Sequence, residues 1–238
     1  MIMKLNQSMK TTMSLAAAMG TLALATSANA AVIYGFTSVD DLDYTNVVGA
    51  WNFADGIGDG VTTTTVQGVG FVGIENDGTV GNLTVGGLLS GGSSGGIGGA
   101  TISSGGTGTD QTNLTAIVRN FLNGQQGTSD LTLDITGLAS NTYKVQYIWS
   151  VGGGSTREFI VNAEGSALGT FSTSSNGPNL LTEQIAVTDG TLNIRVEEGS
   201  TGDNRRMLSG LIISTVPEPS TTALLGLGGF ALIFRRRK

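Results

Sequence analysis

Alternation of apolar and polar positions is the dominant signal along the chain. It is plain in Leu131-x-Leu133-x-Ile135, in Tyr143-x-Val145-x-Tyr147-x-Trp149 and in Leu192-x-Ile194-x-Val196. A period of two puts these apolar side chains on one side of an extended backbone and leaves the other side to polar residues. Similar short runs, rich in β-branched and aromatic residues and bounded by Gly, Asn, Asp and Ser, predict strands over 32–36, 47–53, 61–67, 69–74, 79–85, 131–136, 143–151, 157–163, 168–172, 183–187, 191–196 and 207–213. Asp189-Gly190 falls between two of them and reads as a tight hairpin turn. One stretch departs from the pattern: Leu114, Ile117, Val118, Phe121 and Leu122 recur at helical spacing. With Thr112 or Asn113 as cap and Gly124 as stop, it predicts one short helix. Ten or more short strands imply an all-β fold, a two-sheet antiparallel β-sandwich of jelly-roll-like type.

The two ends carry different patterns. At the start, Lys4 and Lys10 precede an apolar run over 15–25, and Ala28 and Ala30 are spaced like a signal-peptidase recognition pair. The run is too short to span a bilayer comfortably, so 1–30 reads as a helical secretory signal peptide cleaved after Ala30. At the other end, Pro217-Glu218-Pro219 precedes an uncharged stretch over 220–234, and Arg235-Arg236-Arg237-Lys238 closes the chain. The prolines fix φ and deny the residues before them an α conformation, which holds the peptide extended. The apolar stretch of about 15 residues makes a helix of roughly 22 Å against a hydrocarbon core of about 30 Å, so a permanent span would be strained. The basic stop keeps that terminus cytoplasmic by the positive-inside rule. Everything before it is thereby placed across the inner membrane, in agreement with the signal peptide.

This tripartite tail resembles the PEP-CTERM sorting signal of Gram-negative bacteria. Residues 216–220 match its Val-Pro-Glu-Pro-Ser core, and Arg235, Arg236 and Arg237 match its basic end. The resemblance implies that an exosortase-type protease removes the tail after transient anchoring in the inner membrane through the C-terminal hydrophobic helix. It also implies export in association with extracellular polysaccharide. It covers 216–238 and implies no activity for the body.

Between the ends, 31–215 is long enough for one sandwich domain that buries most of its unfolded surface without metal or crosslink. Residues 86–108 hold eleven glycines and many serines, a composition suited to a long surface crossover. A division into two domains at this loop would leave the first with about 55 residues and few large apolar side chains. The stretch Leu138-Ala139-Ser140-Asn141-Thr142-Tyr143-Lys144-Val145 is similar to the Leu-turn-Tyr-x-Val lead into a central strand of galactose-binding-like jelly rolls. Many such domains bind carbohydrate, an association of fold rather than of chemistry.

Composition narrows the chemistry. The chain has neither Cys nor His, which excludes disulfides, Cys- or His-ligated zinc, a thiol nucleophile and a Ser-His-Asp relay built from it alone. The body carries six basic and seventeen acidic residues, a net charge of −11. That surface repels nucleic acid and anionic lipid and leaves neutral glycans and divalent cations compatible. Gly91-x-Ser93-x-Gly95 has the spacing of a nucleophile elbow, but it lies in a Gly/Ser repeat with no His to activate it. Lys144 sits in a predicted strand and reads as structural. Many carboxylate pairs exist in principle for glycoside hydrolysis, and the sequence singles out none.

Three sets of residues remain as candidates. Asp55 and Asp59, in Asp-Gly-Ile-Gly-Asp-Gly, offer hard oxygen ligands for a structural calcium, against a plain Asp-Gly turn. Asp40-Asp41-x-Asp43 has the same two readings. Trp51, Tyr147 and Trp149 would stack on sugar rings if their faces line a groove, or else form core. Arg205-Arg206 reads as a solvated turn pair. The expectation is an exported cell-surface or extracellular-matrix protein whose noncatalytic body binds neutral polysaccharide. The alternatives are a structural or adhesive matrix protein without a discrete ligand site, and a carboxylate-based glycan-active enzyme.

Overall fold

The computed structural model describes residues 31–53, 63–74, 78–80, 83–86, 92–93, 108–119, 122–124, 130–150, 157–172, 177–202 and 206–217. Ala28 and Ala30 of the signal segment, Asp55 and Asp59, and the tail from Glu218 onward, with Pro219, Arg235, Arg236 and Arg237, lie outside the described residues.

In chain order the described residues form β1 (Ala31–Tyr34), a 3-10 turn (Val39–Asp41), β2 (Val47–Phe53), β3 (Thr64–Val66), β4 (Val69–Ile74), β5 (Gly78–Val80), β6 (Leu83–Gly86) and β7 (Gly92–Ser93). Helix α1 (Thr109–Arg119) follows, then β8 (Leu122–Gly124), β9 (Leu131–Thr136), β10 (Asn141–Trp149), β11 (Arg157–Ala163) and β12 (Ser166–Ser172). The chain closes with β13 (Asn179–Val187), β14 (Thr191–Gly202), β15 (Met207–Leu208) and β16 (Gly210–Thr215).

The strands assemble into an all-β sandwich of two large sheets. Sheet 1 has the order β1-β13-β10-β16-β2-β4-β3 and sheet 2 the order β12-β11-β14-β9-β6-β5, while β15, β8 and β7 form a small third sheet. The pairings described are antiparallel apart from β2 with β4. From β9 onward the chain passes back and forth between the sheets, the connectivity of a jelly-roll-like sandwich. Both sheets combine strands from before and after the Gly-rich crossover, with β2 on β16 in one and β6 on β9 in the other.

The alternation in the sequence is the burial pattern of sheet 2. Leu131, Leu133 and Ile135 of β9, Phe159, Val161 and Ala163 of β11 and Leu192, Ile194 and Val196 of β14 all enter the core between the sheets. Sheet 1 meets them with Trp51, Val145, Tyr147, Trp149, Leu211 and Ile213. Its other face is covered too: Ala50, Ile148, Leu180 and Ile212 pack with Leu114, Ile117 and Val118 of α1 and with Phe36, Val39 and Leu42. A sheet covered on both faces needs apolar side chains at successive positions, which is why β16 carries Leu211, Ile212 and Ile213 without a break.

Several elements differ from the sequence-based expectation: β13 starts at Asn179 and β14 runs to Gly202, and the strand expected over 207–213 is divided between β15 in the small sheet and β16 in sheet 1. The strand expected over 79–85 is a hairpin of β5 and β6. The helix starts at Thr109, before the expected caps; Thr112 donates to Gly108 O at 3.2 Å inside its first turn, and the Asn113 amide reaches Thr65 O at 2.7 Å. Leu122 leaves the helical register because it pairs with Leu208 in the small sheet. A turn is present at Asp189-Gly190, with Gly190 at φ +86°, a conformation that favours glycine. It is not the expected hairpin: β13 pairs in sheet 1 and β14 in sheet 2, so the turn carries the chain from one sheet to the other. The lead into β10 is present, where the Tyr143 hydroxyl donates to Ala139 O at 2.9 Å.

Candidate functional site

The three aromatic candidates do not line a groove. Trp51, Tyr147 and Trp149 are 0%, 1% and 1% exposed, because each occupies the phase of its strand that faces sheet 2. Trp149 meets Phe159 edge-on with ring centres 5.4 Å apart and leans on Phe171 at 5.6 Å. Burial pushes the Tyr147 phenol far above its ordinary range. These rings are core, and none can stack on a sugar at the surface.

The acidic cluster near the start of the body is spent on local structure. Asp41 accepts the backbone N–H groups of Thr37 and Ser38 at 2.9 and 3.0 Å, closing a capping box with Ser38. Asp43 pairs with Lys144, and Gln146 clamps the Asp43 backbone from both sides, accepting its N–H at 2.8 Å and donating to its carbonyl at 2.7 Å. Burial alone would raise the Asp43 carboxyl; hydrogen bonds from the Lys144 ammonium and from Thr45, with the Lys144 charge, outweigh it and hold the group at about 2. Among the described residues no group of three or more acidic side chains is placed to hold a metal ion.

Arg206 is not a solvated turn residue. Its side chain is 1% exposed, with its guanidinium 3.6 Å from Asp130 Oδ1 and 3.3 Å from Glu198 Oε1. Asp130 also accepts from Arg195 Nε at 2.9 Å, and Arg195 Nη1 reaches Glu197 Oε1 at 3.1 Å. The Asp130 hydrogen bond is the main reason the Arg195 guanidinium is held above its ordinary value. These five charged side chains form one chain of ion pairs from the surface to the sandwich interior.

Its surface end opens into a concave polar face. The same period of two that sends Leu131, Leu133, Leu192, Ile194 and Val161 inward sends Thr132, Asp134, Asn193, Arg195, Glu197 and Asn162 outward. Pairing of Asn193 with Asp134, and of Arg195 with both Thr132 and Asn162, sets these side chains in rows across three strands. They line a cleft of about 280 Å³ on the outer face of sheet 2. The cleft offers carboxylate, amide, hydroxyl and guanidinium groups, the donors and acceptors that hydrogen-bond sugar hydroxyls. The polar phase of the alternation in β9 and β14 is the sequence signal for this face; a search for aromatics and acidic clusters passes over it.

Comparison with known proteins identifies one segment. Residues 215–238 match the PEP-CTERM protein-sorting motif, which implies an exported protein, anchored in the membrane before cleavage and sorted by an exosortase. No curated protein matches the chain in sequence. The crystal structure of the plant receptor-like kinase FER has a similar fold, with a TM-score of 0.53 and 13% identity over 78% of this chain and 54% of that one. A Bacteroides uniformis beta-glucuronidase 2 aligns with a TM-score of 0.46 and 12% identity over 71% of this chain and 18% of its own length. A family 35 carbohydrate binding module from an environmental isolate aligns with a TM-score of 0.34 and 18% identity over 55% of this chain and 95% of its own. The chain thus spans about half of the FER structure and under a fifth of the glucuronidase. Among the described residues no helix is long and apolar enough to cross a membrane.

Proposed function

We propose that the exported body is a noncatalytic, polysaccharide-associated module of the cell surface or extracellular matrix, and that it contacts neutral glycan through the outer face of sheet 2. The observation that carries this reading is the cleft lined by Thr132, Asp134, Asn162, Asn193, Arg195 and Glu197. Its charges suit a neutral ligand. Arg195 is matched by Asp130 and Glu197, and Asp134 adds a further negative charge that disfavours acidic sugars. The two carboxylates that line the cleft, Asp134 and Glu197, stand too far apart to act as a hydrolytic pair. Asp134 pairs with Asn193, so Glu197 lies four positions further along the neighbouring strand, about 14 Å away by strand spacing. Glycosidase carboxylates stand at most about 9.5 Å apart. Asp130 is nearer to Glu197, but Arg195 bridges the two.

The test is binding of the purified exported protein to a panel of neutral and acidic polysaccharides. Saturable binding to a neutral polymer, weakened about tenfold or more by Asp134→Ala or Asn193→Ala with the fold intact by circular dichroism, supports the reading. The tenfold corresponds to loss of one or two well-made polar contacts. Binding unchanged in both variants would remove the cleft from the account. The burial of Trp51, Tyr147 and Trp149 favours a second reading, a structural or adhesive matrix protein without a discrete site, and absence of binding across the panel would leave that one standing.

A further inference from the structure

The sorting motif starts directly on the folded body. β16 is an interior strand of sheet 1, held between β10 and β2. Its hydrogen bonding continues to the last residue before the motif's first proline: Thr215 N–H donates to Asn46 O at 3.0 Å and Val216 N–H to Thr142 O at 3.4 Å. Pro217 follows at once and is exposed. Three residues, 217–219, therefore separate the body from the stretch over 220–234, and fully extended they reach about 11 Å at most. The headgroup layer that they must cross is itself roughly 5–8 Å thick.

We infer that the end of the sandwich formed by the turns 43–46, 137–142 and 188–190 rests on the lipid headgroups while the tail still anchors the body. This inference rests on the sorting-signal reading of the tail. Register fixes which turns share that end. Tyr143 pairs with Thr215 and Asn141 with Val187 in sheet 1, and Thr136 pairs with Thr191 in sheet 2. Leu138 N–H donates to Gly190 O at 3.1 Å and ties two of the turns together.

Charge complements this placement. The turn 137–142 carries no ionisable side chain. Asp43 is neutralised by Lys144. Two acids stand near this end: Asp189, whose Oδ1 accepts Thr191 N–H at 3.0 Å, and Glu164 in the turn after β11, whose Oε1 accepts Asn193 N–H at 2.7 Å. These two acids are a small part of the body's net charge of −11, so an anionic leaflet repels this end only weakly. Asp130, Glu158, Glu197 and Glu198 belong to the opposite ends of β9, β11 and β14, about 20–30 Å away along the strands. A body tethered this closely, through a segment whose prolines fix φ, keeps this end down and the opposite end toward the matrix.

The absence of Cys from the chain makes the test direct. Ser140→Cys, in the 137–142 turn, and Thr37→Cys, just past the far end of β1, are labelled with a small fluorophore in the full chain with its tail. Each is reconstituted into phosphatidylethanolamine–phosphatidylglycerol vesicles that contain a lipid with a nitroxide on its headgroup. Flotation first reports whether the chain is anchored. In the anchored chain the label at Ser140 is expected to be quenched several-fold more than that at Thr37. A flexible Gly-Ser linker inserted between Val216 and Pro217 should erase the difference. Equal quenching at the two positions, or a difference unmoved by the linker, would overturn the orientation. Failure of the chain to float with the vesicles would instead overturn the anchored state, and the orientation with it.

Discussion

Gly49 and Trp51 share the inner face of β2, and the indole folds back over the glycine. A Cβ at position 49 would stand 2.5 Å from Trp51 Cη2, 3.0 Å from Trp51 Cζ3 and 3.1 Å from Leu83 Cδ1. A buried ring cannot move aside cheaply in a close-packed core. Gly49→Ala is therefore expected to destabilise the body by about 1–3 kcal/mol, read as a lower urea midpoint with an unchanged slope. Gly70→Ala is the control: the nearest atom to its Cβ is Thr63 Cγ2 at 3.7 Å, and its midpoint should stay close to that of the unsubstituted protein. An equal loss in both would trace the effect to glycine's backbone freedom rather than to the ring. Single residues were also where the sequence was least legible. Arg206 follows Arg205 in a polar stretch, and nothing local marks it for burial; Asp130 and Glu198, which neutralise it, come from strands that only the fold brings near. Trp51, Tyr147 and Trp149 were legible as one face of their strands. Alternation identifies a face, but it does not say whether that face meets solvent or a second sheet.

At the scale of elements, legibility follows how strictly a strand is buried on one side. β9 and β11 alternate strictly and match their expected bounds; β2 and β4 match theirs without strict alternation, β2 being buried at five successive positions. β14 runs on through Glu197, Glu198 and Gly199, where intrinsic preference ends the strand. Pairing of Phe159 with Glu198 carries it further. The polar face of β9, β11 and β14 was present in the same alternation as the core, and recognising it as a cleft required the register that aligns Asn162, Arg195 and Thr132. Between elements, the Asp43–Lys144–Gln146 clip fastens the turn before β2 to β10. Because the folded Asp43 carboxyl sits at about 2, below its ordinary value of 3.8, the clip stabilises the body fully above about pH 4 and loses its effect as pH falls toward 2. Asp43 is 46% exposed, and after allowance for solvent screening the contribution is about 1 kcal/mol. Lys144→Met should accordingly lower stability at pH 6 and converge with the unsubstituted protein near pH 2. Urea midpoints at a series of pH values would show it, and a difference constant with pH would assign the loss to packing of the Lys144 stem.

The whole molecule poses the question of one cooperative unit or two, because the Gly-rich crossover divides the sequence in a way that resembles a linker. Strand order argues for one. β2 lies between β16 and β4, and β6 lies between β9 and β5, so neither sheet can be completed from one side of the crossover. Trp51 in β2 and Trp149 in β10 belong to the same core between the sheets, although they lie on opposite sides of the crossover. The two tryptophans are thus natural reporters for the two halves. In Trp51→Phe the remaining fluorescence reports the part of the chain after the crossover, and in Trp149→Phe the part before it. Both substitutions shrink a core side chain and should lower the midpoint. Within each variant, however, the fluorescence and far-ultraviolet circular dichroism transitions should coincide, as a two-state domain requires. Separate transitions, with fluorescence in Trp149→Phe lost before or after the bulk of the strand signal, would mean that the parts before and after the crossover unfold independently despite their shared sheets.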